Sequence, residues 1–176
     1  VYTQIIADLT EAESIIDPQY VRDATDTKAS VTIYAIQALL SRVYLYAQQW
    51  QNAADYATKV INSGKYEMWT AEELMDAGVY TVDVPNGGEV IFEVYGLKAN
   101  SYDGYHDGIS PMTGPDGYGD AGCSADLIAL YDANDVRSTL FQEKDGVTWT
   151  AKYMGKGLGA PDVNNTIILR LSEMYL

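Results

Sequence analysis

Two helical runs, 28–48 and 51–62, leave this chain few folds to choose from. In the first, Ile36, Leu39, Leu40, Val43, Tyr44 and Ala47 recur at helical spacing and form a broad apolar face. Ile33, Tyr34 and Leu45 widen it, so this helix needs cover on more than one side. In the second, Ala53, Ala54, Ala57, Val60 and Ile61 make one stripe, and small alanines let two helix backbones come close. Ser63-Gly64 closes the run, with Gly64 where a left-handed C′ residue belongs. Thr27 is the expected N-cap of the first run.

The pair fits the template of a tetratricopeptide (TPR) unit, a helix pair in a period of about 34 residues. Leu40, Ser41, Tyr44, Trp50, Ala53 and Val60 take its usual large and small positions. Ala57 falls where a large aromatic is usual, and Tyr56 lies one residue early. One such unit cannot bury both faces. Residues 1–16, with Tyr2, Ile5, Ile6, Leu9, Ala12 and Ile16 on one face and Pro18 as a stop, are expected to cover one side. The segment from about Leu169 is expected to open a further repeat helix. Both termini read as cuts through a longer protein.

After Gly64 the periodicity breaks up. "KYEMW" is expected to be extended, and "TAEELMDAG" to be a short helix capped by Thr70 and closed near Gly78. "EVIFEVYG" alternates as a strand. Residues 96–122 hold seven Gly, four Asp and three Tyr with no periodicity, the mark of a long functional loop. "SADLIALYDAND" returns to helix with Ser124 as cap and Leu127, Ile128 and Tyr131 facing inward. "VRSTLFQ" and "VTWTAKYMG" are expected to form a hairpin turned at Asp145-Gly146. The fold class is therefore mainly α: a TPR-like helical-repeat scaffold carrying a long irregular insertion with short strands. It is read as a single segment over 1–176, helical over 1–64 (the repeat pair at 28–63) and mixed over 65–168, with a truncated repeat helix at 169–176.

Composition narrows the chemistry. A net charge of −14 repels phosphate backbones, so nucleic acid is excluded as the expected partner. The single Cys123 rules out an internal disulfide, and no Cys/His cluster suits zinc. Cys123 reads as a small packed residue, and His106 as a polar loop residue. No apolar run is long enough to span a membrane. Fifteen Tyr against two Phe favour half-wet surfaces, since Tyr pairs an apolar face with a hydroxyl edge.

"ASVTIYAIQALLSRVYLYAQQWQNAADYATKVINSGKYEM" resembles the signature helix pair of the SusD/RagB family. Three further pieces follow in the family's order: "GGEVIFEVYG", the acidic-x-Arg segment "LYDANDVRSTLF" with Asp135 and Arg137, and "IILRLSEMYL". Family members are much longer, so the chain is similar to their middle part. The resemblance implies a cell-surface lipoprotein of a Bacteroidetes outer membrane. It implies a protein that binds oligosaccharide or polysaccharide and acts with a SusC-like TonB-dependent transporter in nutrient uptake. It also implies a SusD-like scaffold, no enzymatic activity and no cofactor. The lipid-bearing cysteine of the family lies at the mature N-terminus, so Cys123 is not that residue.

Local chemistry agrees with a sugar site. Pyranose rings need flat apolar faces for their CH side, and carboxylates or amides for their hydroxyls. The irregular stretch and the hairpin supply Tyr102, Tyr105, Tyr118 and Trp149 as platforms, with Asp103 and Asp107 as polar partners. Each aromatic has a structural alternative, pinning the loop to the scaffold. Three other readings stand beside this one. Asp103, Asp107, Asp116 and Asp120 are hard oxygen ligands suited to calcium, although EF-hand spacing is absent. The repeat pair is alternatively a protein–protein interaction module without sugar binding. A glycoside hydrolase needs two placed carboxylates; Asp135 and Arg137 instead read as a structural ion pair or cap.

Overall fold

The computed structural model describes residues 1–20, 28–75, 88–96, 108–115, 117–153, 155 and 163–176. The described elements are mainly helical, as the periodicities require, and fall into two compact units.

The first unit comprises Val1–Met68, Val84–Val94 and Ile167–Leu176. Its frame is three helices: α1 (Tyr2–Ile15), α2 (Ile33–Tyr46) and α3 (Trp50–Asn62). Helix α2 begins later than expected. Its cap is Thr32, whose hydroxyl accepts from the Ala35 amide at 3.3 Å; Thr27 lies outside the described residues. The cause is local competition. Lys28–Ser30 make a turn, and the Lys28 carbonyl accepts from the Glu93 amide at 3.0 Å, so this backbone serves a strand instead of a helix. Helix α3 ends as expected, with Gly64 at φ 62° and its amide on the Ile61 carbonyl.

Alanines make the α2/α3 contact close. Ala38, Leu40 and Val60 have no exposed surface, and Ala35, Ala53 and Ala57 are buried. The Ser41 hydroxyl donates to the Ala53 carbonyl at 2.8 Å, so this buried polar group is satisfied. Tyr56 lies off the usual aromatic position, yet its ring stacks on Tyr44 with centroids 5.5 Å apart.

Helix α1 is held by one carboxylate. Glu13 accepts from Gln37 Nε2 (2.9 Å), the Tyr56 hydroxyl (3.0 Å) and Lys59 Nζ (3.2 Å). Lys59 also lies 3.9 Å from the centre of the Tyr56 ring, within cation–π range. Partial burial raises the Glu13 pKa, but the donors from Gln37, Lys59 and Tyr56 outweigh it and hold it below the ordinary value. Burial and the facing Glu13 push the Tyr56 hydroxyl up to about 12.

Strands β1 (Val90–Val94) and β4 (Thr166–Arg170) form a two-stranded sheet. This corrects the repeat helix expected from Leu169: Leu169 and Arg170 belong to β4, and helix α7 (Leu171–Tyr175) starts after them. The β-branched Ile167 and Ile168 favour the strand, and the Leu171 amide closes onto the Glu89 carbonyl at 2.7 Å. Along β1, Val90, Ile91 and Glu93 are buried while Val94 is 57% exposed. Buried carboxylates require nearby cations. Glu89 pairs with Arg170 at 3.0 Å. Burial drives the Lys28 pKa down while the charge of Glu93 raises it, so Glu93 lies close to that ammonium. Arg42 completes the unit, gripping both Glu173 oxygens at 2.5 Å and the Ile168 carbonyl at 2.7 Å. The core gathers Ala35, Ala38, Ala57, Val60, Ile91, Leu169, Leu171 and Met174.

The second unit comprises Trp69–Asp83 and Tyr95–Thr166. Helix α4 (Ala71–Met75) starts on a reciprocal cap: the Thr70 amide donates to Glu73 Oε2 (2.7 Å) and the Glu73 amide to the Thr70 hydroxyl (3.2 Å). Its expected close at Gly78 lies outside the described residues. Within the expected loop, Ile109–Thr113 forms the short helix α5. Helix α6 (Ala125–Ala129) is capped by Ser124 as expected, but Leu127 does not face inward: it is exposed. Five residues make too short a helix to bury a full apolar stripe. Val136–Leu140 is a 3-10 turn, not the expected strand, because the Asp135 carboxylate caps it through the Arg137 amide. The hairpin itself pairs β2 (Phe141–Lys144) with β3 (Val147–Thr150). Asp145 and Gly146 both have positive φ, 55° and 78°, as the tight turn demands.

Two measurements check this account. Glu13→Gln removes a hydrogen-bonded charge and should cost about 1 kcal/mol at neutral pH, a fall of about 2–4 °C in Tm. Because the folded pKa of Glu13 is depressed, its contribution is full above the unfolded value near 4.5. It disappears as pH falls through the folded pKa. Melts of the two proteins should therefore converge on acidification. Gly64→Ala meets no atom within 4 Å, so its cost is conformational alone, about 1 kcal/mol. A denaturant midpoint unchanged by this substitution would contradict the left-handed C′ assignment.

Candidate functional site

Of the expected ligand-facing residues, Tyr102, Asp103, Tyr105 and Asp107 lie outside the described residues, as do His106 and Asp116. Tyr118, Asp120 and Trp149 are described, all in the second unit.

The segment 117–123 is laid along β3, and glycines make that approach possible. A β-carbon at Gly119 would sit 3.3 Å from Trp149 Cη2, and the residue has φ 66°, which only glycine adopts without strain. A β-carbon at Gly122 would come within 2.8 Å of Val147 Cγ1. The Cys123 amide donates to the Thr148 carbonyl at 2.7 Å. At the other end, the Tyr118 amide donates to the Pro111 carbonyl at 2.9 Å, and Gly117 packs so tightly on Pro111 that a β-carbon would collide with it.

This arrangement separates the two described aromatics. Tyr118, between two glycines, is 53% exposed, and Asp120 is exposed two residues on. Trp149 is 9% exposed, and its Nε1 donates to the Lys144 carbonyl at 3.3 Å. The open ring expected of Trp149 is therefore enclosed, because Gly119 lies against its six-membered edge. Cys123 is partly buried, and that burial raises its thiol pKa, which suits a packed residue.

The Asp135–Arg137 pair is structural. Arg137 donates to both Asp135 oxygens, at 2.9 and 2.5 Å. With the amide bond from Arg137, this pushes the Asp135 carboxyl down to about 2. The same guanidinium lies 5.3 Å from the Tyr131 ring centre, and Tyr131 meets Phe141 edge-on at 5.1 Å. Among the described residues no group of three or more His, Cys, Asp or Glu is placed to hold a metal ion. Of the four aspartates considered for calcium, only Asp120 is described.

Sequence reasoning missed Asn164 and Asn165. Asn165 is buried, and its Oδ1 accepts from the Gly96 amide at 3.1 Å. Asn164 Oδ1 accepts from the Gly155 amide at 2.9 Å. A β-carbon at Gly96 would lie 2.7 Å from the Asn164 carbonyl. The two amides thus fix the backbone just before residues 97–107 and 156–162. Only the Gly at each root hinted at a close approach, and nothing in the sequence pointed to its partner.

No family model and no curated protein matches the sequence. Solved structures do match it, over 99% of the chain. A SusD superfamily protein from Bacteroides vulgatus is 29% identical with a TM-score of 0.77. One from Bacteroides thetaiotaomicron is 30% identical with a TM-score of 0.74. A SusD-like carbohydrate-binding protein from Bacteroides vulgatus is 25% identical with a TM-score of 0.76. The chain spans 39%, 40% and 37% of those three structures respectively. With the fold matched end to end and the four sequence segments in the family's order, this chain is similar over nearly its whole length to proteins of the SusD superfamily and shares their fold.

Proposed function

We propose that the chain is part of a glycan-binding protein, with Tyr118 as a platform for a pyranose face and Asp120 as a partner for its hydroxyls. The observation that carries this reading is the display of Tyr118, an exposed residue on a backbone packed against Pro111 on one side and against β3 on the other. Likeness to a SusD-like carbohydrate-binding protein over nearly the whole chain supports it. Tyr102, Tyr105, Asp103 and Asp107, in the same irregular stretch of sequence, extend the proposed contact set. Trp149 enters it through its packing.

The whole protein is read as a surface-exposed outer-membrane lipoprotein that passes oligosaccharides to a SusC-like TonB-dependent transporter. The Bacteroides origin of the similar structures supports that setting. No helix of the described residues is long and apolar enough to cross a membrane. The role is binding without catalysis. The Asp135 carboxylate is paired with Arg137.

One observation favours the second reading, an interaction module of the repeat type. A cavity of about 350 Å³ opens in the first unit between α3 and α7, lined by Leu45, Trp50, Ala54, Thr58 and Tyr175 among others. Trp50 there is 60% exposed.

A glycan array probed with the protein, with calcium and with EDTA, separates these readings. Binding to at least one glycan is expected, and Tyr118→Ala should weaken it about tenfold, the scale of one lost aromatic contact. Loss of binding in EDTA would bring the aspartates in as calcium ligands. An array without a hit from well-folded protein would favour the interaction module.

A further inference from the structure

We propose that Trp149 is a positioning residue for the Tyr118 platform, acting through Gly119 to fix where that ring is presented. The inference rests on the glycan reading of Tyr118 and adds a role for a residue enclosed beneath it.

The geometry runs in one direction, from hairpin to platform. Asp145 and Gly146, both at positive φ, set the β2/β3 register that pairs Trp149 with Gln142. The indole is then fixed from two sides, by its own bond to the Lys144 carbonyl and by Gly119 against its outer edge. Gly119 suits that contact because a β-carbon there would press on the indole at 3.3 Å and because its φ of 66° strains other residues. Tyr118 is the next residue back. Its amide is tied to Pro111, and Cys123 is tied to Thr148 on the other side of the contact. The platform backbone is thus bonded at both ends and rests on the indole in the middle. A ring held this way loses little conformational freedom when a ligand lands on it, and affinity gains accordingly.

The test uses the full chain in native affinity electrophoresis against laminarin, amylopectin, xylan and mannan. Amide hydrogen exchange at Tyr118 and Cys123 is followed alongside. Three variants are compared with the wild type: Tyr118→Ala, Gly119→Ala and Trp149→Phe, the last keeping an apolar ring in the hairpin. Tyr118→Ala should weaken retardation by the polysaccharide that holds the wild type about tenfold. Gly119→Ala should weaken it to a similar degree while the protein still melts cooperatively. Trp149→Phe should weaken it by a smaller factor, about threefold, with faster exchange at both amides. Suppose Gly119→Ala and Trp149→Phe speed exchange but bind like the wild type, while Tyr118→Ala does not. Trp149 is then packing only, and the inference falls with the glycan reading intact. If Tyr118→Ala binds like the wild type, or no polysaccharide retards the wild type, the platform reading fails and takes this inference with it.

Discussion

Close approach of α2 and α3 is the constraint on which the first unit depends. It exists because Ala35, Ala38, Ala53 and Ala57 bring little bulk, with Leu40 and Val60 fully enclosed. Helices packed this tightly leave no tolerance for an unsatisfied polar group. Ser41 is accommodated by giving its proton to a carbonyl of the partner helix. Once that pair is set, the other attachments have fixed docking points. Glu13 reaches Gln37 from α2 and both Tyr56 and Lys59 from α3. Arg42 on α2 ties in α7 through Glu173.

Charge in this acidic chain is used sparingly and in pairs. Exposed ion pairs contribute little, and most of the described acidic residues are exposed to solvent. The exceptions sit where the chain changes direction. Glu89 and Glu93 flank the buried part of β1 and are matched by Arg170 and by the nearby Lys28. Removing one member of such a pair would strand a charge away from water, a larger penalty than the pair's net contribution. These pairs therefore specify which strand meets which turn more than they add stability.

Legibility of the fold followed the length of the periodic signal. Three helices of 13 or 14 residues were readable because several turns repeat the same stripe. The Asp145-Gly146 hairpin was readable because two adjacent positive φ values restrict the residues allowed. Errors gathered where a five-residue element was decided by partners distant in sequence. Thr32 displaced the cap expected at Thr27 because Lys28 bonds to Glu93, 65 residues away in number. Leu169 and Arg170 joined a strand because β1 was there to pair with them. The candidate site was legible only in composition. Tyr and Asp among glycines announced a surface fit for sugar, but not which ring would be open. Tyr118 and Trp149 look alike as sequence, and the absence of one β-carbon at Gly119 separates them.

That separation carries a more general point about glycine-rich binding stretches. Glycine is often taken as a sign of slackness, since it has the most backbone freedom to lose. Here Gly117, Gly119 and Gly122 do the opposite: a β-carbon would collide at Gly117 and Gly122 and would crowd Trp149 at Gly119, and the approaches are followed by backbone hydrogen bonds on both sides. The conformational cost is met during folding, on the hairpin, before any ligand arrives. A loop that ordered itself only upon binding would meet the same cost out of its affinity. The glycines of 117–122 are thus better understood as the means by which a loop becomes part of a sheet surface, leaving one tyrosine facing solvent.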